Sequence, residues 1–332
     1  MTTNNDKLEP MDPSTAQQLF LDHKETSCSE ATVRNYLYRT NHFIDWCQQE
    51  NITNLNNLAG RDIQQFRLWR KSDGDLNKLT LRMQMSTLRV FLKWAETVEA
   101  VPKNLYDKVM VPKVRPEERQ RAETLDPESA QAILDYLTKY QYGSIEHVTL
   151  ALLWETGMRI GAIHSLDTSD VIVKESRIEL VHRPEEGTAL KNGKGGNRLV
   201  AVTSELINLI DDYLSQQRVP TTDDHGREPL LATDQGRAAK TTIRRMIYRI
   251  TSPCYRNDPC PGCKEKPGSK CPEAVSPHAI RRGSITHFLS KDVPVEVVSD
   301  RMDVSQKVLD QHYDKRSEEV KVEQRRKFLD NI

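Results

Sequence analysis

The chain has 332 residues, of which 37% are hydrophobic, so it is long enough for two domains that each bury a core. Lys plus Arg and Asp plus Glu both total 48, so any surface for nucleic acid must arise from how the charges are distributed in space. No apolar run approaches the length of a membrane span and the N-terminus is too polar for a signal peptide, which predicts a cytoplasmic protein with no membrane partner.

Residues 1–13 are predicted to form a flexible tail, and residues 14–110 a helical bundle. The bundle is predicted from apolar residues at helical spacing, such as Leu81, Leu88 and Phe91. Its basic residues form either a solvated surface or a set of contacts to DNA phosphates, and the bundle alone does not decide between the two. If it is a core DNA-binding domain, the predicted phosphate contacts are Arg67, Arg70, Lys71, Lys78, Arg82 and Arg89.

Residues 111–123 read V-P-K-V-R-P-E-E-R-Q-R-A-E, and their prolines and low apolar content predict an interdomain linker. The second domain, residues 124–332, begins with a helix capped by Asp126, and its next apolar helix ends at Gly157. Alternating segments D-V-I-V, R-I-E-L-V-H and R-L-V-A-V then predict three antiparallel strands. The predicted fold class is therefore mainly α with a small antiparallel β-sheet, or α+β.

Two further basic elements lie in this domain. The glycine-rich turn L-K-N-G-K-G-G-N-R before the last strand presents Lys194, which on its own is either functional or an ordinary residue of a soluble loop. The later helix at residues 240–251 carries Arg244 and Arg245, which we predict to contact the DNA backbone. A solvated helix with the same charges is the alternative.

Four of the six cysteines lie close together, at Cys254, Cys260, Cys263 and Cys271. In an intracellular protein, this crowding favours a metal over disulfides. Cys260 and Cys263 have the two-residue spacing of a zinc knuckle, so we predict a structural zinc ion held by the four thiolates. The alternative is a set of free thiols in a polar loop.

The segment S-P-H-A-I-R places His278 and Arg281 on one face of a helix, since Ser276 can cap it and Pro277 can occupy its first position. An imidazole and a guanidinium that project together suit an anionic oxygen, most obviously that of a phosphate. Tyr313 lies on a later helix, where packing does not require a phenol. Taken singly, these residues are more typical of an ordinary core histidine and a surface tyrosine than of a functional site.

Upstream, W-E-T-G-M-R-I-G places Arg159 just after Gly157. In this set of motifs the chain resembles the tyrosine recombinase (phage integrase) family. Arg159 stands at the first arginine of that family, His278-x-x-Arg281 at its paired motif and Tyr313 at its nucleophile. The resemblance is strong from about residue 124 to residue 330 and holds only in outline before that.

The resemblance implies a site-specific recombinase or integrase whose two domains encircle double-stranded DNA. The implied catalytic residues are Arg159, Lys194, His278, Arg281 and Tyr313, with Lys194 as the donor of the leaving-group proton. The tyrosine would form a 3′-phosphotyrosyl intermediate without ATP or a catalytic metal, so no cofactor is expected for catalysis. The family also implies a homo-oligomer, a dimer or tetramer, on DNA.

One position departs from the family pattern. A His or Trp usually stands before the nucleophile in an L-G-H-like turn, where this chain has Met302, Asp303 and Val304. Valine can neither donate nor accept a proton, so a DNA-binding regulator without strand cleavage remains an alternative. A type IB topoisomerase uses the same chemistry and is a second alternative. A zinc hydrolase is disfavoured, because four thiolates leave no open coordination position.

Overall fold

The computed structural model describes residues 8–115, 118, 123–260, 271–312, 322 and 326 of the chain. The chain divides into two compact units, Met1–Arg121 and Ala122–Ile332. The predicted linker, residues 111–123, spans this division, and its extent stays a prediction. No helix in the described ranges is long and apolar enough to cross a membrane.

The first unit, called here the helical unit, packs its helices around an aromatic core. Its described α-helices are α1 (Pro13–Glu25), α2 (Glu30–Gln49), α3 (Gly60–Asp73) and α4 (Lys78–Thr97). Asn77 caps α4, because its side chain accepts a hydrogen bond from the backbone of Thr80. Phe20, Phe43 and Phe91 are at most 1% exposed, and Phe91 lies edge-on to both of the other rings. This core holds α2 beside α4.

The second unit, called here the C-terminal unit, is organised around one helix. Its described α-helices are α5 (Pro127–Tyr140), α6 (Ile145–Thr156), α7 (Ile160–Ser165), α8 (Ser204–Gln216), α9 (Lys240–Thr251), α10 (Pro277–Ser290), α11 (Val295–Met302) and α12 (Gln306–His312). Helix α6 is apolar on most of its circumference, and Val148, Leu150 and Leu153 are fully buried. It contacts α5, α8, α9 and α10, so it forms the centre of the core.

A small antiparallel sheet lies beside these helices. Its strands are β1 (Val171–Ile172), β2 (Arg177–Leu180) and β3 (Arg198–Ala201), in the order β1-β2-β3. Ile178 pairs with Val200, and both side chains are buried in the main core. A second hairpin is formed by β4 (Ala232–Thr233) and β5 (Gly236–Arg237). The prediction of a mainly helical fold with a small three-stranded antiparallel sheet is confirmed.

Helix α10 lies in unusually close contact with the rest of the C-terminal unit. Ser276 caps it as predicted, since its hydroxyl accepts a hydrogen bond of 3.2 Å from the backbone of Ala279. A Cβ atom added at Gly283 would lie only 1.9 Å from the carbonyl oxygen of Leu125. The hydroxyl of Ser284 donates to the carbonyl oxygen of Trp154 on α6, at 2.6 Å. Only glycine at position 283 permits this approach.

A second, smaller core fixes α11 and α12 against the end of α10. Its buried residues are Ile285, Leu289, Val298, Met302, Val304 and Leu309. Because these residues come from all three helices, the turn between α11 and α12 is held close to α10.

Candidate functional site

The turn after α6 places Arg159 at the start of α7. Gly157 ends α6 with a φ of 58°, a conformation that favours glycine. A Cβ atom at this position would also lie 2.6 Å from the sulfur of Met302. Gly157 therefore allows both the turn and the close approach of the α11 end to it.

Arg281, on α10, is only 3% exposed and is held by backbone carbonyl groups. Its Nη1 donates to the carbonyl oxygens of Gly157 at 2.6 Å and Met302 at 2.7 Å. Its Nη2 donates to the carbonyl oxygen of Asp303 at 3.3 Å. These bonds join α10 to the turns after α6 and α11, and they fix the plane of the guanidinium group.

Arg159 meets the same turn through a side chain. Its Nη1 forms an ion pair with Oδ2 of Asp303, with the Arg159 and Asp303 side chains 33% and 17% exposed. The other carboxylate oxygen, Oδ1, accepts a hydrogen bond of 2.6 Å from the side-chain amide of Asn192. The structure thus brings Arg159 and Arg281 together, because both contact Asp303.

Lys194 lies in the loop between β2 and β3, in a short 3-10 turn at Gly193–Gly196, and its side chain is exposed. The loop reaches the arginines through Asn192, two residues earlier. Arg198, at the start of β3, anchors it further by donating to the carbonyl oxygens of Gly196 at 2.9 Å and Arg301 at 3.0 Å. Burial lowers the pKa of Arg198, and the nearby charge of Arg159 acts in the same direction.

His278 lies in the first turn of α10 and is exposed, one helical turn before the buried Arg281. Tyr313 lies outside the described residues. The described part of α12 reaches His312, the residue before it, and is anchored by the fully buried Leu309. The position of the predicted nucleophile relative to the arginines therefore stays a prediction.

Val304, at the position where the family usually has His or Trp, is 7% exposed and belongs to the small core. Its backbone N–H donates to the carbonyl oxygen of Ser299 at 3.0 Å, and its own carbonyl accepts from the Ser299 hydroxyl at 2.7 Å. The polar side chain that this turn directs at the arginines is instead that of Asp303. The sequence interpretation missed three residues of the site: Asp303, Asn192 and Arg198. Of these, only Asp303 had a signal in the sequence, because it lies in the turn that departs from the family pattern.

In the helical unit, the predicted phosphate contact of Arg70 is wrong. Arg70 is 5% exposed, and its Nε donates to Oε1 of Gln84 at 2.8 Å. Its other nitrogens contact Asp73 at 3.3 Å and His42 at 3.2 Å. Burial, followed by the charge of Arg70, lowers the pKa of His42. Arg70 is a structural residue of the α2–α3–α4 packing.

The other predicted DNA contacts of this unit lie at least partly on the surface, where several have protein partners. Lys71 is exposed, and Arg67 is half-buried. Lys78 forms an ion pair of 2.7 Å with Glu118. Arg82 donates to the carbonyl oxygen of Pro112 at 2.7 Å, and Arg89 donates to that of Val109. Their assignment to DNA stays a prediction.

A groove of about 510 Å³ lies between α2 and α4. One of its lining residues, Arg39, is basic and was not assigned to DNA by the sequence interpretation. Arg39 on α2 and Arg82 on α4 both line it. In the C-terminal unit, Arg244 and Arg245 of α9 are exposed, as a contact to DNA requires. Each unit therefore carries at least partly exposed arginines, and their assignment to DNA stays a prediction.

The cysteine cluster is partly described. The sulfurs of Cys254, Cys260 and Cys271 all lie within 4.8 Å of one another, and those of Cys260 and Cys271 are 3.6 Å apart. Tetrahedral zinc with Zn–S bonds of about 2.3 Å places its sulfurs about 3.8 Å apart, so the three thiols fit such an ion. Partial burial and the neighbouring thiols raise the pKa of Cys260 to about 12. Cys263 lies outside the described residues.

Comparison with protein families and curated proteins gives matches over both units. A model of the phage integrase N-terminal SAM-like domain matches residues 18–98, and that of the phage integrase family matches residues 123–319. The chain is 23% identical over 274 residues to a tyrosine recombinase of Pseudothermotoga lettingae, covering 82% of each protein. It is 20% identical over 289 residues to a tyrosine recombinase of Thermosipho africanus, covering 82% of this chain and 84% of that protein.

Two solved structures share the fold. A Tn1549 transposon integrase in complex with a circular intermediate DNA matches with a TM-score of 0.69 and 14% identity, covering 95% of this chain and 99% of that one. A lambda integrase dimer bound to a COC′ core site matches with a TM-score of 0.67 and 12% identity, covering 95% of this chain and 80% of that one.

Proposed function

The chain belongs to the phage integrase family, and we propose that it is a site-specific recombinase that cleaves and rejoins double-stranded DNA through a 3′-phosphotyrosyl intermediate. The observation that supports this most directly is the meeting of Arg159 and Arg281 at Asp303, although the two arginines are far apart in sequence. Two guanidinium groups at one place form a site for a phosphodiester.

The two arginines have complementary parts in this proposal. Carbonyl oxygens already orient the guanidinium of Arg281, so little free energy is needed to reorient it when a phosphate binds. Arg159 is more exposed and can donate hydrogen bonds directly to a non-bridging phosphate oxygen. Together they would stabilise the additional negative charge that develops on the phosphate in the transition state.

Tyr313 would be the nucleophile. Its phenol oxygen forms a bond to phosphorus while the bond from phosphorus to the 5′-oxygen breaks, and its proton leaves with the help of His278 or solvent. The unperturbed pKa of tyrosine is about 10, so this help is required near neutral pH. His278 is exposed, so its imidazole is placed either to exchange a proton with the phenol or to hydrogen-bond the same phosphate.

Lys194 would protonate the departing 5′-oxygen. Its loop is tied to the arginine pocket through Asn192 and Arg198, while the lysine itself is exposed. The phosphotyrosyl bond retains the energy of the broken phosphodiester, so a second 5′-hydroxyl can reverse the attack. Strand exchange therefore requires neither ATP nor a catalytic metal ion.

The test is formation of a covalent protein–DNA adduct on nicked duplexes drawn from a library of candidate sites, which trap the intermediate. We expect the wild-type chain to form an adduct and Tyr313→Phe to form none while still binding DNA. Arg281→Lys serves as a second variant that retains the nucleophile. Binding without an adduct on any duplex would support a DNA-binding regulator instead.

A relaxation assay on supercoiled plasmid distinguishes the remaining alternative. A topoisomerase of the same chemistry would relax plasmids of any sequence, whereas the proposed recombinase would act at particular sites. We further propose that the chain acts in the cytoplasm as a dimer or tetramer on DNA. Crosslinking of the bound protein, with and without a specific duplex, would measure that assembly.

For the cysteine cluster, we propose a structural zinc ion held by Cys254, Cys260, Cys263 and Cys271. The spacing of the three described sulfurs supports this. The ion would close the segment between α9 and α10, which contains few apolar residues, and would take no part in the reaction.

Metal analysis of the purified protein checks this proposal. About one zinc ion per chain is expected for a site of four thiolates. Cys263→Ser should weaken zinc binding, while Cys28→Ser, in the helical unit, should leave it unchanged. Equal zinc affinity in Cys263→Ser and the wild type would rule out Cys263 as a ligand.

A further inference from the structure

Asp303 occupies an unusual position at the end of α11. Its backbone adopts a left-handed conformation, with a φ of 51°. Asp and Asn are among the few residues other than glycine that adopt this conformation readily. The turn buries Val304 in the small core and leaves the Asp303 side chain directed at Arg159. The turn is thus built so that one carboxylate reaches the arginine pocket.

This carboxylate is bound as a phosphate would be. Oδ2 contacts a guanidinium nitrogen of Arg159, and Oδ1 accepts a hydrogen bond of 2.6 Å from the amide of Asn192. The main-chain oxygen of the same residue accepts from Arg281 at 3.3 Å. An anionic oxygen on Arg159, beside Arg281, is also what the proposed function requires of a DNA phosphate.

We propose that the Asp303 carboxylate is an internal stand-in for the substrate phosphate, which the incoming phosphodiester displaces from Arg159. The inference rests on the proposed function for the identity of the incoming anion. The exchange replaces one negatively charged oxygen by another, so Arg159 keeps an anionic partner throughout. Asp303 acts through Arg159 and is therefore a residue that sets affinity for the phosphate.

Displacement has a second consequence. Asn192, two residues before Lys194, loses its carboxylate partner at the same moment as Arg159 does. Its amide then becomes available as a further donor, while Arg198 still holds the loop that carries Lys194 to the Arg301 carbonyl of α11. Binding of the phosphate in this way changes one of the contacts that hold the loop of the proposed proton donor.

A simpler role for the ion pair is to tether α11 to α7. Ion pairs that remain partly exposed to solvent contribute little to stability. Both side chains of this pair are partly exposed, at 33% and 17%. The two roles predict different measurements, because a tether changes stability whereas a stand-in changes the affinity for an anion.

The experiment uses inorganic phosphate as the probe and the full-length protein. Phosphate replaces chloride at constant ionic strength, and its dissociation constant is obtained from the increase in the thermal unfolding temperature. Asp303→Asn removes the charge, keeps the side-chain shape and tolerates the left-handed conformation. Asp300→Asn is the matched control, since Asp300 is an exposed residue of the same helix.

We expect Asp303→Asn to bind phosphate about tenfold more tightly than the wild type, as expected for loss of one competing charged hydrogen-bond partner. Asp303→Gly, a second variant that suits the backbone, should show the same gain. Asp300→Asn should bind as the wild type does, and adding Arg159→Ala to Asp303→Asn should abolish the gain.

An unchanged or weakened affinity in both Asp303 variants would overturn the inference. So would a gain that persists without Arg159, or an equal gain in Asp300→Asn. The adduct assay tests the proposed function separately. If the wild-type chain forms an adduct but the Asp303 variants do not bind phosphate more tightly, only the proposed role of Asp303 is rejected. A phosphate gain without any adduct leaves the anion site standing and rejects strand cleavage.

Discussion

Arg70 and Arg281 are the two buried arginines among the described residues, at 5% and 3% exposed, and they are held in different ways. Arg70, in the helical unit, contacts the side chains of Gln84, Asp73 and His42. Arg281, in the C-terminal unit, is held by three backbone carbonyl oxygens. The Asp303 carboxylate forms an ion pair with the neighbouring Arg159. Side chains hold the guanidinium of Arg70, and backbone carbonyl groups orient that of Arg281.

The difference teaches that burial alone does not separate a structural arginine from one that binds phosphate. Arg70 contacts side chains of α2, α3 and α4, so its guanidinium belongs to the packing of those helices. Carbonyl groups fix a guanidinium in position while its positive charge still acts on neighbouring groups. Where the partners of a buried arginine lie in the fold therefore indicates its role better than its burial does.

The largest expected effect is that of Arg281→Lys on the rate of adduct formation. A lysine ammonium cannot reproduce the planar contacts of Arg281 to the three carbonyls and also reach a phosphate. We expect a loss of about 10²- to 10³-fold at saturating DNA, measured as the single-turnover rate. Arg70→Lys should leave that rate unchanged, and similar losses in both variants would break the comparison.

The next largest effect is expected for glycines that lie close to the two arginine sites. A Cβ atom in Gly283→Ala would meet the Leu125 carbonyl oxygen at 1.9 Å, so α10 must shift. We expect the free energy of unfolding to fall by about 3 kcal/mol.

Gly74→Ala is the matched change in the helical unit. Its Cβ atom would meet the flexible end of Arg70, at 2.3 Å from Nη1, and that end can move. A smaller loss, of about 1 kcal/mol, is expected in denaturant unfolding. An equal or larger loss for Gly74→Ala would show that α10 is packed less rigidly than the structure indicates.

Arg70→Ala tests whether Arg70 stabilises the helical unit. It leaves the buried amide oxygen of Gln84 without its hydrogen-bond donor. We expect a loss of about 2 kcal/mol in the free energy of unfolding of the helical unit. Lys71→Ala, at the exposed neighbouring position, should change it by less than about 0.5 kcal/mol. Equal effects of the two variants would contradict the structural role of Arg70.

The smallest expected effect concerns exposed arginines and the salt dependence of DNA binding. If Arg244 contacts one phosphate, Arg244→Ala should reduce the slope of log binding constant against log salt concentration by about 1. Filter binding or fluorescence anisotropy across a series of salt concentrations measures this slope. Arg70→Ala should leave the slope unaltered. A reduced slope in that variant would show that Arg70 contacts a DNA phosphate.

Local features of the fold were predictable from short stretches of sequence. Ser276 and Pro277 mark the start of α10, and Gly157 marks the end of α6, because capping depends on a few adjacent residues. The strands followed from the alternation of apolar residues. The placement of His278 and Arg281 on one helix followed from their spacing.

For the candidate site, the sequence predicted some of the residues but not the contacts between them. The two arginines were identified by resemblance, whereas the carboxylate between them was not, since Asp303 looked like an ordinary residue of an altered turn. The assignment of Arg70 to DNA failed because its position beside other basic residues resembled a surface patch. Sequence spacing showed its neighbours along α3 but not Gln84, which belongs to α4.

The sequence by itself determined the family, the helical and strand segments and the residues available for chemistry, because these depend on local periodicity and short motifs. Only the tertiary structure decided that Asp303 lies on Arg159, 144 residues away, and that Arg281 is held by Gly157, 124 residues away. Such contacts result from how helices pack around α6 and the small core. No local pattern encodes which side chains that packing brings together.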